Sequence, residues 1–224
     1  MLATDEQEAA MIRKAEMYVK GIMDSDTSGH DFYHTLRVRN LAMYIAREEA
    51  KGQSVDLYAV ELMALLHDAD DRKLSPETCA TLGRATKFLE DNGIDEGQKN
   101  LILQGIRQIS FKGTDSEVPD SIEGRCVQDA DRLDAIGAVG IARAFAFGGS
   151  RGRSMFDPEV PPRYDMDAAS YAANKGHTIN HFYEKLLLLK NMMNTDAGKR
   201  IALQRHEYME GFLAEFYAEW DGLK

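Results

Sequence analysis

The stretch Leu65–Asp71, LLHDADD, ends an apolar run with a histidine and three carboxylates. Between Ala59 and Leu66 the only charged residue is Glu61, so this run predicts a buried helix. Imidazole and carboxylate groups at the end of such a helix cost desolvation free energy unless a partner compensates them. A divalent metal ion is the simplest partner, and we therefore expect further ligands elsewhere in the chain.

The composition is typical of globular proteins and argues against several function classes. The 224 residues are 44% hydrophobic and 29% charged, which predicts one domain with one large core. The net charge of −10 argues against nucleic acid and anionic membranes as partners. Cys79 and Cys126 form no CxxC pair, which argues against a disulfide framework or a structural zinc site. The chain shows neither an apolar signal segment nor an apolar run long enough to cross a bilayer, so we expect a cytoplasmic protein.

Helical spacing and turn residues predict an all-α fold. The segment 148–167 is rich in Pro, Gly and Arg and is expected to be irregular, either a mobile lid or an ordinary surface loop. We expect a single domain over 1–224, with a core of about 25–147 and C-terminal helices of about 167–222 packed on it. The predicted helices are about 5–23, 30–51, 56–66, 75–91, 95–109, 119–146, 167–193 and 195–220.

Two further stretches offer ligands for a metal ion. His30, His34 and Arg37 are four and three residues apart, so they share one face of the predicted helix. In a later acidic run, Asp131 and Asp134 also share a face. Two imidazoles with two carboxylates make a mixed nitrogen and oxygen site that suits Mn, Fe, Ni, Zn or Mg. Open positions on such an ion bind water and lower its pKa, which produces a nucleophile.

Taken in order, these motifs resemble the HD-domain metal-dependent phosphohydrolases, in the compact bacterial branch that includes nucleoside triphosphate pyrophosphohydrolases. The HD dipeptide alone is weakly specific, but the ordered set covers nearly the whole chain. The resemblance implies an all-α fold, a single HD-domain-like helical bundle with the metal site between helices. The matching stretches are Gly29–Val38, Leu65–Asp68, Ser110–Gly113, Asp129–Gly137 and Asn180–Leu187.

The resemblance also implies roles for individual residues. The family's acid beyond the HD pair, which orients or deprotonates the attacking water, corresponds to Asp71. A regular helix would place Asp71 about 40° from His67, although Asp70 is also available for this role. The alternative is that the carboxylate of Asp71 holds a ligand histidine in position. The implied metal ligands are His34, His67, Asp68 and Asp131.

Cationic side chains are expected to neutralise charge on the phosphoryl oxygens of a substrate. Arg37 and Lys112 are the candidates for this catalytic and substrate-binding role. The alternatives are an ion pair with a neighbouring acid for Arg37 and a solvated turn position for Lys112. His30 is a further substrate-binding candidate, or a helix cap. Lys185 follows His181 by four residues, a spacing at which the pair can close a pocket.

The combined interpretation is a metal-dependent phosphohydrolase that acts on a nucleotide, for example by cleaving a (d)NTP to (d)NMP and pyrophosphate. The substrate class rests on the resemblance. The alternatives are another phosphomonoesterase or phosphodiesterase of the superfamily, and a non-catalytic, metal-stabilised nucleotide-binding regulatory module. The expected partners are a divalent metal ion of open identity and a phosphorylated small molecule, and formation of a homodimer is left open.

Overall fold

The computed structural model of the chain describes residues 2–23, 31–71, 75–110, 116–164, 166, 169–170 and 176–224. These residues are mostly helical and include no β-strand, which confirms the predicted all-α class. No helix within these ranges is both long and apolar enough to span a membrane. The helices are α1 (Leu2–Met23), α2 (Phe32–Glu49), α3 (Leu57–Leu66), α4 (Gly83–Asp91), α5 (Glu96–Ile109), α6 (Ile122–Asp134), α7 (Gly137–Ser150), α8 (Thr178–Glu184) and α9 (Asp196–Trp220), with a 3₁₀-helix, Leu186–Met192, between α8 and α9.

The chain divides into two compact units, of which the first comprises residues 1–110 and 117–130. Its helix α3 packs against α1, α2 and α5. A helix that is apolar all round is stable only when it is buried, and nearly all of α3 after its first turn is buried. Asp56 caps α3, because its carboxylate accepts a hydrogen bond from the Ala59 N–H at 2.9 Å.

The second unit comprises residues 111–116 and 131–224. Within it, α7, α8 and α9 pack on one another or on the 3₁₀-helix. Aromatic rings line this packing, since the ring centre of Phe145 lies 6.1 Å from that of Phe182 and 5.9 Å from that of Phe212. Thr195 caps α9 by accepting a hydrogen bond from the Gly198 N–H at 3.0 Å. The expectation of one domain over the whole chain stays a prediction.

The predicted helix start at residue 75 is wrong, because α4 begins only at Gly83. Residues 76–82 form turns, and Leu82 has a φ of 53° in the left-handed region, which no helix continues through. The first amides of α4 donate hydrogen bonds to the side chain of Asp70. Helix α4 therefore begins where a side chain distant in sequence accepts hydrogen bonds from its first amides. The residues next to this start did not predict it.

Two other predicted helices are interrupted. The helix expected over 119–146 is split into α6 and α7, because Gly137 has a φ of +76°, a conformation that glycine adopts without steric cost. Within the described part of the helix expected over 167–193, residues 169–170 are helical, and the short α8 is followed by the 3₁₀-helix. The α-helix gives way to the 3₁₀-helix at Lys185, whose φ of −144° lies outside the helical region.

Candidate metal centre

Helices α2 and α3 of the first unit pack together and bring three predicted ligands into one place. His34 lies in the first turn of α2, and His67 and Asp68 follow the last residue of α3. Asp31 caps α2 by accepting a hydrogen bond from the His34 N–H at 2.7 Å. This cap sets the residue at which α2 begins and therefore the direction in which His34 points.

One carboxylate oxygen of Asp68 is close to both imidazoles. Its Oδ2 lies 3.4 Å from Nε2 of His34 and 3.4 Å from Nε2 of His67. The two imidazole centres are 5.4 Å apart in an edge-to-face arrangement. All three side chains are buried, and their ligand atoms lie within 4.8 Å of one another. Over the described part of the chain, this is the one group of histidine, cysteine and acidic side chains arranged to hold a metal ion.

A hydrogen bond to the backbone orients the His67 ring. Its Nδ1 lies 2.7 Å from the carbonyl oxygen of Ala64. Because a carbonyl oxygen only accepts, Nδ1 must carry the proton, and Nε2 of the neutral ring then carries the lone pair. This tautomer is the one that a histidine ligand needs. The donor set of two imidazoles and one carboxylate therefore fits a divalent transition metal ion.

Helix α3 ends just before His67, and this changes the geometry expected for Asp71. The Ala69 N–H donates to the Leu66 carbonyl at 3.1 Å, and the Asp71 N–H donates to the Asp68 carbonyl at 3.0 Å. These bonds span three residues, so the backbone is wound more tightly than an α-helix. The separation of about 40° between His67 and Asp71, which assumed a regular helix, therefore does not apply. Asp71 is half-buried at the end of this turn.

The buried side chain of Asp70 is engaged by helix α4. Its Oδ1 and Oδ2 accept hydrogen bonds from the N–H groups of Arg84 and Ala85 at 3.0 and 2.9 Å. A carboxylate at this position also interacts favourably with the helix dipole. Burial, and secondly the charge of Asp70, raise the pKa of the Tyr18 phenol on α1. These contacts give Asp70 a structural role, and Asp71 remains the predicted acid or base.

The other predicted site residues are distributed over the two units, and two of them lie outside the described residues. Arg37 is half-buried on α2, one turn after His34. Asp131, near the end of α6, and Lys185, at the end of α8, are half-buried residues of the second unit. His30 and Lys112 lie outside the described residues. The ligand role of Asp131 and all of the substrate-binding roles stay predictions.

The sequence did not single out Arg153, which lies in the irregular segment after α7. Burial, and to a smaller extent the charges of Lys185 and Arg153, lower the pKa of His181 to about 3. These three side chains of the second unit therefore interact electrostatically. The arginines of the segment 148–167 were a visible signal, but spacing along an irregular backbone does not reveal the partner of any one of them.

Comparison with known proteins agrees with this geometry. The HD-domain family model matches residues 31–136. YpgQ from Bacillus subtilis is 36% identical over 219 residues, which cover 97% of each chain. Its crystal structure in complex with ADP has a TM-score of 0.76 and 34% identity, and the match covers 95% of this chain and 96% of that chain. An HD-superfamily hydrolase from Bacillus thuringiensis has a TM-score of 0.76 and 40% identity, covering 96% and 98%. A protein from Lactobacillus plantarum has a TM-score of 0.82 and 35% identity, covering 95% and 98%.

Proposed function

Because the chain belongs to the HD-domain family and is a metal-dependent phosphohydrolase, we propose that its substrate is a nucleotide. The proposed reaction is cleavage of a (d)NTP to (d)NMP and pyrophosphate. The observation that carries the proposal is the buried group of His34, His67 and Asp68, whose ligand atoms lie within 4.8 Å of one another. The complex of the relative YpgQ with ADP supports a ligand that contains both a nucleoside and phosphates.

The proposed ligand set adds Asp131 to these three residues. This assignment rests on the position of Asp131 in the run Asp129–Gly137, which resembles the fourth motif of the family. A bound divalent ion supplies Lewis-acid activation of a water molecule for attack on phosphorus. The carbonyl of Ala64 prepares the chain for this ion, because it holds His67 in the tautomer that presents a lone pair. The proposed metal is one of Mn, Mg, Fe, Ni and Zn.

The remaining roles are proposed for residues around the motif. Asp71 is half-buried next to the turn that carries two ligands, and it is the proposed acceptor of the proton from water. Arg37 lies on the same helix as the ligand His34 and is proposed to neutralise phosphoryl oxygens. Lys112, Lys185 and His30 are proposed as further substrate-binding residues on the basis of the sequence motifs.

A product-resolved screen tests the proposed reaction. Nucleoside mono-, di- and triphosphates are incubated with the protein and each divalent ion in turn, and ion chromatography separates pyrophosphate from phosphate. We expect equal amounts of pyrophosphate and monophosphate from a triphosphate. Release of phosphate from a nucleoside monophosphate, without pyrophosphate from a triphosphate, would replace the proposal with a phosphomonoesterase. Nucleotide binding without any metal-dependent product would favour the regulatory module.

A pair of charge-neutralising variants tests the metal centre. Asp68→Asn keeps the shape of the side chain at the metal centre but removes its charge. Asp95→Asn makes the same chemical change at the exposed residue that caps α5. We expect Asp68→Asn to lower metal-dependent turnover by at least about 100-fold, because residues that merely support ligands already cost about 10–100-fold. Asp95→Asn should retain turnover, since asparagine is as good a helix cap as aspartate. Asp131→Asn, measured in parallel, should behave like Asp68→Asn if Asp131 is the fourth ligand.

A further inference from the structure

Ser75 is a fully buried residue that follows the HD pair by a short distance in the chain. The sequence predicts a helix start at this residue, a position where a serine hydroxyl accepts a hydrogen bond from the first turn. Helix α4 begins only at Gly83, so the Ser75 hydroxyl has no helix start to cap. Its bonds lie instead with the turn that carries two of the candidate ligands.

The hydroxyl of Ser75 donates a hydrogen bond to the carbonyl of Ala69. The distance from its Oγ to that carbonyl oxygen is 3.1 Å. Helix α3 ends at Leu66, and carbonyls near a helix end lack the partners that a continuing helix would supply. Because Ala69 is fully buried as well, solvent does not reach this bond. Loss of the hydroxyl would therefore remove a buried hydrogen bond that water does not replace.

The backbone of Ser75 holds a second carbonyl of the same turn. The Ser75 N–H donates to the carbonyl oxygen of Asp71 at 2.7 Å, and the Asp71 N–H donates to the carbonyl oxygen of Asp68 at 3.0 Å. The peptide groups on both sides of Asp71 are therefore hydrogen-bonded. Peptide groups are planar and rigid, so these bonds fix the direction in which the Asp71 side chain leaves the turn.

Ser75 is itself held by the residues that follow it. Its carbonyl oxygen accepts hydrogen bonds from the N–H groups of Thr78 and Cys79 at 3.1 and 3.0 Å. Pro76 occupies the second position of this turn, which proline favours, and it also restricts the backbone of the residue before it. A residue whose backbone is already fixed loses little conformational entropy when it makes its bonds. Ser75 therefore constrains the turn that carries the HD pair.

We propose that Ser75 is a positioning residue of the metal centre. Its hydroxyl and its N–H hold the carbonyls of Ala69 and Asp71, and thereby fix the direction from which the Asp71 carboxylate accepts the proton of the attacking water. The role of Asp71 as the proton acceptor rests on the proposed function. A misplacement of about 1 Å caused by a residue outside the reacting groups can cost about 100-fold in rate.

The variant Ser75→Ala removes the hydroxyl and keeps the backbone bonds. With metal and nucleotide saturating, kcat should fall by about 10- to 100-fold. KM should stay close to the wild-type value, so that kcat and kcat/KM fall together, as for an interaction that acts in the transition state. The matched control is Thr178→Val, which removes a buried hydroxyl that donates to the Ser154 carbonyl at 3.3 Å. This control should leave kcat close to that of the wild type.

A double-mutant cycle distinguishes positioning of Asp71 from a general loss of structure. In an Asp71→Asn background, Ser75→Ala should have little further effect on kcat, because residues that act as a unit are strongly non-additive. An equal loss in both backgrounds would overturn the proposal, since the hydroxyl would then act on another group. Wild-type kcat in folded Ser75→Ala would overturn it as well. If Ser75→Ala does not fold, Ser75→Cys takes its place, because cysteine keeps a similar shape and only a weak donor.

Amide hydrogen exchange in the metal-free protein provides a readout that needs no turnover. Ser75→Ala should raise the exchange rate of the Asp71 amide by about five- to tenfold, which corresponds to the loss of one hydrogen bond. The Ala59 amide, which donates to Asp56 at the other end of α3, should keep its rate. An unchanged rate at Asp71 would show that the hydroxyl does not hold the turn, and the proposal would be wrong.

These readouts separate the proposal from the proposed function. If the wild type releases pyrophosphate from a triphosphate, but Ser75→Ala matches it in kcat and in exchange at Asp71, the role of Ser75 is wrong and the proposed function stands. If the wild type forms product only from another phosphate ester, the proposed nucleotide reaction is wrong. The same cycle is then run on that ester, and a loss of kcat that depends on Asp71 still supports the role of Ser75.

Discussion

Replacement of Asp70 by alanine separates a structural carboxylate from a catalytic one. Its two oxygens accept backbone hydrogen bonds from Arg84 and Ala85 at 3.0 and 2.9 Å, and the side chain is buried. At about 1.5 kcal/mol for each bond to a charged acceptor, Asp70→Ala should cost about 3 kcal/mol of unfolding free energy. For a chain of this size, each kcal/mol lowers Tm by about 2–4 °C, so Tm should fall by roughly 6–12 °C.

The assay combines thermal unfolding, followed by circular dichroism, with metal-dependent turnover measured well below the lower Tm. Asp70→Ala should retain turnover within about tenfold of the wild type, because its contacts lie with α4. The adjacent variant Asp71→Ala should show the opposite pattern. Loss of a general base lowers kcat by about 100- to 10,000-fold, whereas truncation of a half-buried residue should change Tm much less.

The reverse result would refute this division of roles. If Asp70→Ala unfolds at the wild-type temperature and loses turnover, Asp70 contributes to the chemistry and its bonds to α4 contribute little stability. If Asp71→Ala turns over at the wild-type rate, the proton acceptor must be another group. Asp70→Asn provides a graded check, because its amide keeps one acceptor oxygen and should recover part of the lost Tm.

Three further predictions concern other parts of the chain. The neutral His67 ring should be protonated on Nδ1, which ¹⁵N chemical shifts report directly, and a proton on Nε2 would contradict the proposed ligand geometry. Gly140→Ala should lower unfolding free energy by about 1–3 kcal/mol in urea denaturation, because its Cβ would lie 2.2 Å from the Ala135 carbonyl oxygen. The control Gly149→Ala should be near neutral, since nothing lies within 4 Å of its Cβ. Because the pKa of His181 falls from 6.5 to about 3 on folding, the unfolded state binds more protons between these values, and wild-type stability should fall as pH drops from about 6.5 toward 3. His181→Asn lacks this contribution, so stability curves that remain parallel over this pH range would contradict the assigned environment.

Local chemistry in the sequence was enough to predict the helical class and part of the site. The apolar run before His67 has few charged residues, so a helix formed by it is stable only when it is buried on all sides. Asp56 starts α3 through a hydrogen bond from a residue only three positions away. The HD pair at the end of this run supplies two of the four proposed ligands. These features depend on neighbours within a few residues, and for that reason they could be predicted from the chain alone.

Features that depend on residues distant in sequence required the tertiary structure. Packing of α2 on α3 decided that His34 and His67 share one oxygen of Asp68. The bonds from the start of α4 show that Asp70 supports the fold, although the sequence left Asp70 available beside Asp71 for the role of acid or base. The sequence by itself determined which side chains were available for chemistry. Tertiary packing decided which of them meet, because desolvation and hydrogen-bond geometry depend on neighbours that the order of residues does not specify.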